Sequence, residues 1–214
     1  MSTVWDDGIC DGIQNMARDA GLLDSGSPIA RVYGWDGPWV SLGRSQNSSA
    51  SLKPGCPAPW VMRPTGGKAV LHGHDLTVGM AVPLEILGLG ERDVKSVYRA
   101  VIPLLTRSLN AVGIPASLAE ETPFVRGAGK VADCFAHVSP NDVVDPSTGQ
   151  KVCGCALRLT NRMVLVQASI PVGKPLVDPS LVYDAPAAVG RHSSATRDEL
   201  ACALRTEFDS AGLG

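Results

Sequence analysis

The sequence has no excess of basic charge. Its 19 Lys and Arg face 21 Asp and Glu, a formal net charge of −2. That balance argues against a general nucleic-acid binder, which carries a basic surplus. No run of about 18 apolar residues occurs, so no segment is expected to span a membrane. The opening residues, Met1 to Asp7, show neither a basic nor an apolar stretch, and no secretory signal is expected. Internal repeats and low-complexity segments are absent too. What is present is a chain of 214 residues, 44% of them hydrophobic. It is long enough for a real core and too apolar for disorder.

Six cysteines stand at positions 10, 56, 134, 153, 155 and 202. A chain of this size with no export signal is expected in a reducing, cytoplasmic setting, with free thiols rather than a disulfide framework. Free cysteines divide into buried structural ones and at most one or two reactive ones.

The spacing of Ile13, Met16, Ala17, Ala20 and Leu23 predicts a first helix with those residues on one face. Strands are predicted over Ile29–Trp35, Trp39–Gly43, Trp60–Arg63, Lys68–His72 and Leu76–Leu84, arranged as hairpins, with a loop over 44–59. A long helix is predicted from Val94 to Val112, with Pro103 inside it and Gly113 as its stop. Short strands are expected near Phe135 and at Val143-Val144. Two strong ones follow, Lys151–Leu159 and Met163–Val172. Thr196 is placed to cap a final helix that shows Leu200, Ala203, Leu204 and Phe208 on one face. Blocks of strands and blocks of helices predict an α+β fold with a mixed, mostly antiparallel sheet flanked by helices.

Two segments carry chemistry. In Arg63-Pro64-Thr65-Gly66-Gly67-Lys68-Ala69-Val70-Leu71-His72, paired glycines between strands let the backbone approach a ligand, with N–H groups free for a carbonyl or phosphate oxygen. A plain hairpin turn with solvated Arg and Lys fits the same residues. In Lys151-Val152-Cys153-Gly154-Cys155-Ala156, the lysine is either a charged strand end or a partly desolvated group able to stabilise a thiolate or an oxyanion. Strand alternation places residues 151, 153 and 155 on one face, unless Gly154 marks a bulge.

Together these segments resemble the lipoate–protein ligase A and octanoyltransferase family, within the biotin/lipoyl ligase superfamily. Asn15-Met16-Ala17-Arg18-Asp19 resembles that family's opening helix, and Trp39 to Gln46 its early strand. Arg63 to His72 resembles its Arg-x-(Ser/Thr)-Gly-Gly signature with a trailing His. Lys151 to Ala156 stands where the family has Lys-(Ile/Val)-(Ser/Ala)-Gly-Ser-Ala. The resemblance runs from Trp5 to Val172. It implies a single catalytic domain over residues 1–214, with no C-terminal accessory domain. The acyl chain would lie in a tunnel over the sheet, bounded by Arg63, Gly66, Gly67, His72, Cys153 and Gly154.

The family divides between ligases, which make an acyl-adenylate from ATP with Mg, and transferases, which take an acyl group from a carrier thioester onto a cysteine and need no cofactor. His72-Gly73-His74-Asp75-Leu76-Thr77 resembles the transferases' His-x-x-(Glu/Asp)-Leu-Thr. Cys134-Phe135, ahead of Ser139-Pro140, resembles their Cys-Phe-…-Pro-Ser segment. The resemblance therefore implies Cys134 as nucleophile, with Lys151 lowering its pKa and binding the oxyanion. Its partners would be an acyl carrier protein and a lipoyl domain or glycine-cleavage H-type acceptor, docked near a basic patch at Arg126, Lys130 and Arg158. Departures from the pattern are Met62 before Arg63, the Ser139-Pro140 order, a longer hairpin over 145–150, and Cys153 and Cys155 in place of smaller residues. Three alternatives remain at this stage. One is an ATP-dependent lipoate–protein ligase with Cys134 incidental, the second a transferase whose reactive thiol is Cys153, and the third a non-catalytic binding protein. No metal site is expected, because His72-x-His74 and Cys153-x-Cys155 lack the usual zinc spacing.

Overall fold

Alternation along three neighbouring strands organises the fold. The computed structural model describes residues 3–89, 93–125, 131–184 and 194–214. The stretch 126–130 and His192 therefore lie outside the described residues. In chain order the elements are β1 (Val4–Cys10), α1 (Gly12–Gly21), β2 (Ile29–Trp35), β3 (Val40–Leu42), a one-turn α2 (Ser48–Ser51), β4 (Trp60–Met62), β5 (Val70–Leu71) and β6 (Asp75–Pro83). They continue with α3 (Val94–Ala111), β7 (Ser117–Leu118), β8 (Val143–Val144), β9 (Lys151–Leu159), β10 (Met163–Pro171) and α4 (Arg197–Ser210). A seven-stranded sheet runs β1-β2-β6-β10-β9-β8-β7, and a small sheet runs β4-β3-β5. The sheets are mixed and mostly antiparallel, flanked by helices. The pairs β1–β2 and β3–β4 are parallel, so the early strands are not simple hairpins.

One face of the large sheet is apolar. Ala30 and Val32 of β2, Val78 and Met80 of β6, and Val164 and Val166 of β10 bury against Val101 and Leu105 of α3 and Leu200 and Leu204 of α4. Removing that surface from water is the main stabilising term for the two helices. A reciprocal capping box between Thr196 and Glu199 sets where α4 begins. Ala201, rather than Ala203, completes its buried face.

The opposite face is polar and aromatic: Arg31, Tyr33 and Trp35 of β2, Thr77 of β6, Gln167 and Ser169 of β10. Helix α1 covers part of it, and this corrects the predicted helical face. Ile13 is exposed and Ala17 points outward, while Gly12, Asn15, Met16 and Asp19 turn inward. The cause is Arg31, fully buried on β2. Its guanidinium donates to Asp19 Oδ1 at 2.7 Å, to Asn15 Oδ1 at 2.7 Å and to Asp7 Oδ2 at 2.7 Å. A buried charge needs such partners, so the helix presents its polar side to the sheet. β1, which the apolar pattern missed, supplies Asp7. No described helix is long and apolar enough to cross a membrane.

Candidate active site

A cavity that opens to solvent lies between the polar face of the large sheet and the small sheet. Its deep part is bordered by Met16, Tyr33 and Trp35, and its other end by Gly67, Cys134, Gly154 and Ala156.

The glycine turn is held from behind. Arg63 is buried. Its Nη2 donates to the carbonyls of Gly66 and Lys68, its Nε to Thr65 Oγ1 and Gly66 O, and its Nη1 to Ser41 O and Oγ. All of its donors serve this local structure, so the side chain shapes the turn rather than reaching a ligand. Gly67 takes φ +85°, a conformation that favours glycine. Its N–H makes no hydrogen bond among the described residues, whereas the Gly66 N–H donates to Leu157 O at 3.4 Å. Gly43 is equally constrained, since a Cβ there would lie 2.0 Å from Gly67 O. Thr65 Oγ1 donates to Gln167 Oε1 at 2.6 Å, and Gln167 donates on to Asp19 at 2.5 Å, tying the turn to α1.

His72 lies in the cavity wall, stacked on Trp35 with ring centroids 3.9 Å apart. Its Nδ1 is 2.7 Å from Asp75 Oδ2 and its Nε2 is 2.8 Å from Ser41 Oγ. Asp75 also accepts from Thr77 Oγ1 and Ser169 Oγ. Burial pushes its carboxyl up, but the His72 charge and these hydrogen bonds outweigh it and hold it below the ordinary range. The histidine is thus locked by its neighbours as part of a buried polar wall.

Cys134 opens a single 3-10 turn, Cys134–Ala136, where a short strand near Phe135 was expected. Asp133 caps that turn by accepting from the Phe135 N–H at 2.9 Å. Backbone pairing to Ala69 fixes the position, with Cys134 N–H donating to Ala69 O at 2.8 Å. The nucleophile candidate is therefore anchored to the strand that leaves the glycine turn. Lys151 Nζ reaches Cys134 Sγ at 3.3 Å and Cys134 O at 2.8 Å, and pairs with Asp142 Oδ1 at 2.9 Å. Asp142 in turn accepts from Ser139 N–H and Oγ. Sequence reading missed Asp142. Its signal was a carboxylate shortly after the Ser139-Pro140 step.

The electrostatics correct one expectation. Burial raises the Cys134 thiol pKa, and the nearby Lys151 ammonium only partly offsets that, so the net shift is upward rather than downward. For Lys151, burial works against the charged form, but Cys134 and Asp142 prevail and keep it protonated.

Strand alternation also needs correction at β9. Val143 pairs with Cys153 and Val144 with Lys151, so Val152 is an extra residue and the bulge lies there, not at Gly154. Gly154 then faces the site: a Cβ on it would lie 3.2 Å from Cys134 Sγ and 3.5 Å from Lys151 Cε. Cys153 is fully buried in the main apolar core beneath α3 and does not border the cavity. Burial and the Cys155 thiol push its own thiol well up. Cys155, whose Sγ is 3.6 Å from that of Cys153, touches both the core and the cavity edge. No group of three or more metal-ligating side chains occurs among the described residues.

The model of the lipoyl protein ligase A/B catalytic domain matches residues 11–198. The chain belongs to that family. Among curated members of the lipoyl protein ligase A/B family, the octanoyltransferase LipM of Kyrpidia tusciae is 32% identical over 168 residues, covering 73% of this chain and 60% of that protein. LipM of an Exiguobacterium species is 30% identical over 185 residues, covering 80% of this chain and 64% of its own length. The chain thus spans a little under two thirds of these relatives. Among solved structures, lipoate-protein ligase A bound with ATP superposes with a TM-score of 0.70 at 19% identity, over 97% of this chain and 83% of that one. The bi-partite lipoate protein ligase of Thermoplasma acidophilum, studied with its E2 lipoyl domain, gives 0.69 at 21%, over 95% and 80%. These structural likenesses establish the lipoate-ligase fold.

Proposed function

We propose that this protein transfers an octanoyl or lipoyl group from a carrier thioester to Cys134, and from there to a lysine of a lipoyl-accepting domain. The observation that carries the reading is the Lys151 ammonium, 3.3 Å from the Cys134 thiol, with that thiol on the wall of the largely apolar cavity lined by Met16, Tyr33 and Trp35. The LipM relatives point to the same chemistry. As a thiolate, Cys134 attacks the donor carbonyl, forming a C–S bond and an oxyanion. Lys151 Nζ and the unpartnered Gly67 N–H are the donors for that oxygen. Collapse breaks the donor's C–S bond, and the proton lost by Cys134 ends on the released carrier thiol. The acceptor's neutral amine then attacks the acyl-cysteine, forming the amide and returning the proton to Cys134. Asp142 keeps Lys151 charged and aimed, and His72, through Asp75 and Ser41, stiffens the acyl wall.

In this reading no cofactor takes part. The partners are an acyl carrier and a lipoyl-type acceptor, met in the cytoplasm, and residues 1–214 act as one catalytic domain. The test is incubation with octanoyl–carrier protein and mass spectrometry of the intact chain. An octanoyl adduct that is absent in Cys134→Ala supports the reading. Acylation of an acceptor that requires ATP and survives Cys134→Ala would overturn it in favour of a ligase.

A further inference from the structure

Most arginines among the described residues are tied down. Among the described residues, Arg18 and Arg31 pair with Asp7, Arg99 with Glu120, Arg107 with Glu207 and Arg197 with Asp6, while Arg63 and Arg205 donate to carbonyls. Three arginine side chains make no hydrogen bond or ion pair among the described residues: Arg44, Arg158 and Arg162. All three border one open groove.

That groove leads to the reactive centre. A second cavity is bordered by Arg44 and Arg158 and shares Gly67, Cys155 and Ala156 with the acyl cavity. Its described lining contains no carboxylate, although Asp24 and Glu85 stand elsewhere in the wider groove. Alternation past the Val152 bulge gives the direction. Gly154 faces Cys134, Ala156 faces Gly67, and Arg158 is next on that face. Four steps along the strand, about 13 Å of backbone, lead from Gly154 to Arg158. An unneutralised guanidinium pair on a cavity that shares Gly67 and Ala156 with the nucleophile's own is suited to a phosphate.

We infer that Arg44 and Arg158, with Arg162 at the outer end, bind the phosphodiester of the acyl donor's thioester arm, so that the phosphate is held outside while the thioester passes Gly67 to Cys134. This rests on the transferase reading above and gives its carrier thioester a phosphate-binding subsite. The same phosphate could come from a carrier protein or from free coenzyme A.

The test compares octanoyl esters of carrier protein, coenzyme A and phosphate-free pantetheine as donors to Cys134, in the wild type and in Arg44→Gln/Arg158→Gln. The expected result is a KM rise of about tenfold per arginine for both phosphate-bearing donors, with kcat kept and the pantetheine ester least affected. A further rise in Arg162→Gln confined to the carrier donor would assign the carrier as the source. A further rise confined to the coenzyme A ester would assign the free thioester. Equal changes for all three donors, or none, would overturn the inference. Direct binding of unacylated phosphopantetheine, followed by calorimetry, separates this from the function itself. Binding lost in the double variant supports the anion site even if Cys134 never acylates. Binding of ATP with Mg, but not phosphopantetheine, at these arginines would overturn it.

Discussion

Lys151 and Gly154 face the same side of β9 although they stand an odd number of positions, three, apart. The reason is Val152, an extra residue where β8 pairs with Lys151 and Cys153. The bulge delivers the ammonium and an empty Cα to one thiol, and turns Cys153 into the core.

Because burial holds the Cys134 thiol above its ordinary value, the thiolate fraction is small at neutral pH and grows as pH rises. Acyl-enzyme formation should climb about tenfold per pH unit through the neutral range. Lys151→Ala removes the charge that opposes this, so the profile should move to still higher pH, with the rate down about 10²–10³-fold. Stopped acylation or alkylation read by mass spectrometry measures both. A wild-type plateau below about pH 8 would contradict the buried-thiol picture.

Asp142→Asn keeps the shape and the acceptor for Ser139 but no longer pins Lys151. Turnover should fall up to about 10²-fold as the ammonium loses its aim. The alkylation profile of Cys134 should shift the opposite way, to lower pH, because a like charge next to the thiol is gone. Lower turnover without that shift would mean the carboxylate acts only through folding.

Gly43→Ala places a methyl group 2.0 Å from Gly67 O, which is backbone and cannot swing aside. The glycine turn must move, costing about 1–3 kcal/mol. Thermal unfolding should show a midpoint several degrees lower, at roughly 2–4 °C per kcal/mol. An unchanged midpoint would refute the close contact.

His72→Ala leaves the buried Asp75 carboxylate without its 2.7 Å partner on His72 Nδ1, a loss of about 1–3 kcal/mol. The pH signature has a definite sign. Asp75 is held below its ordinary value of 3.8 when folded, so its contribution is complete above that value and is lost as pH falls through the lowered one. Acid melts of Asp75→Asn should lack this loss. Identical acid curves for wild type and variant would show that the pair is not coupled to folding.

Much of the fold was legible because it is written in local periods. The β2 boundaries, the span of α3, the capped start of α4 and the paired strands β9 and β10 all follow from apolar spacing, a capping threonine and turn residues. β1 was missed because Asp6, Asp7 and Gly8 interrupt its apolar pattern, and those two carboxylates have meaning only beside Arg197 and Arg31. The inward face of α1 was misread for the same reason: apolar periodicity assigns Met16 to the core correctly but cannot foresee that a buried guanidinium needs Asn15 and Asp19.

By itself, the sequence determined the family signature, the glycine turn, and the pairing of one cysteine segment with one lysine strand. Only the tertiary structure decided which side chains meet. Register is a property of two strands, and the partner that inserts the Val152 bulge comes from β8. The net pKa of Cys134 depends on how deeply several distant segments bury it. Burial and register are both non-local quantities, so residue spacing along one strand could name Lys151 and Cys134 but not the Asp142 that joins them or the core that takes Cys153.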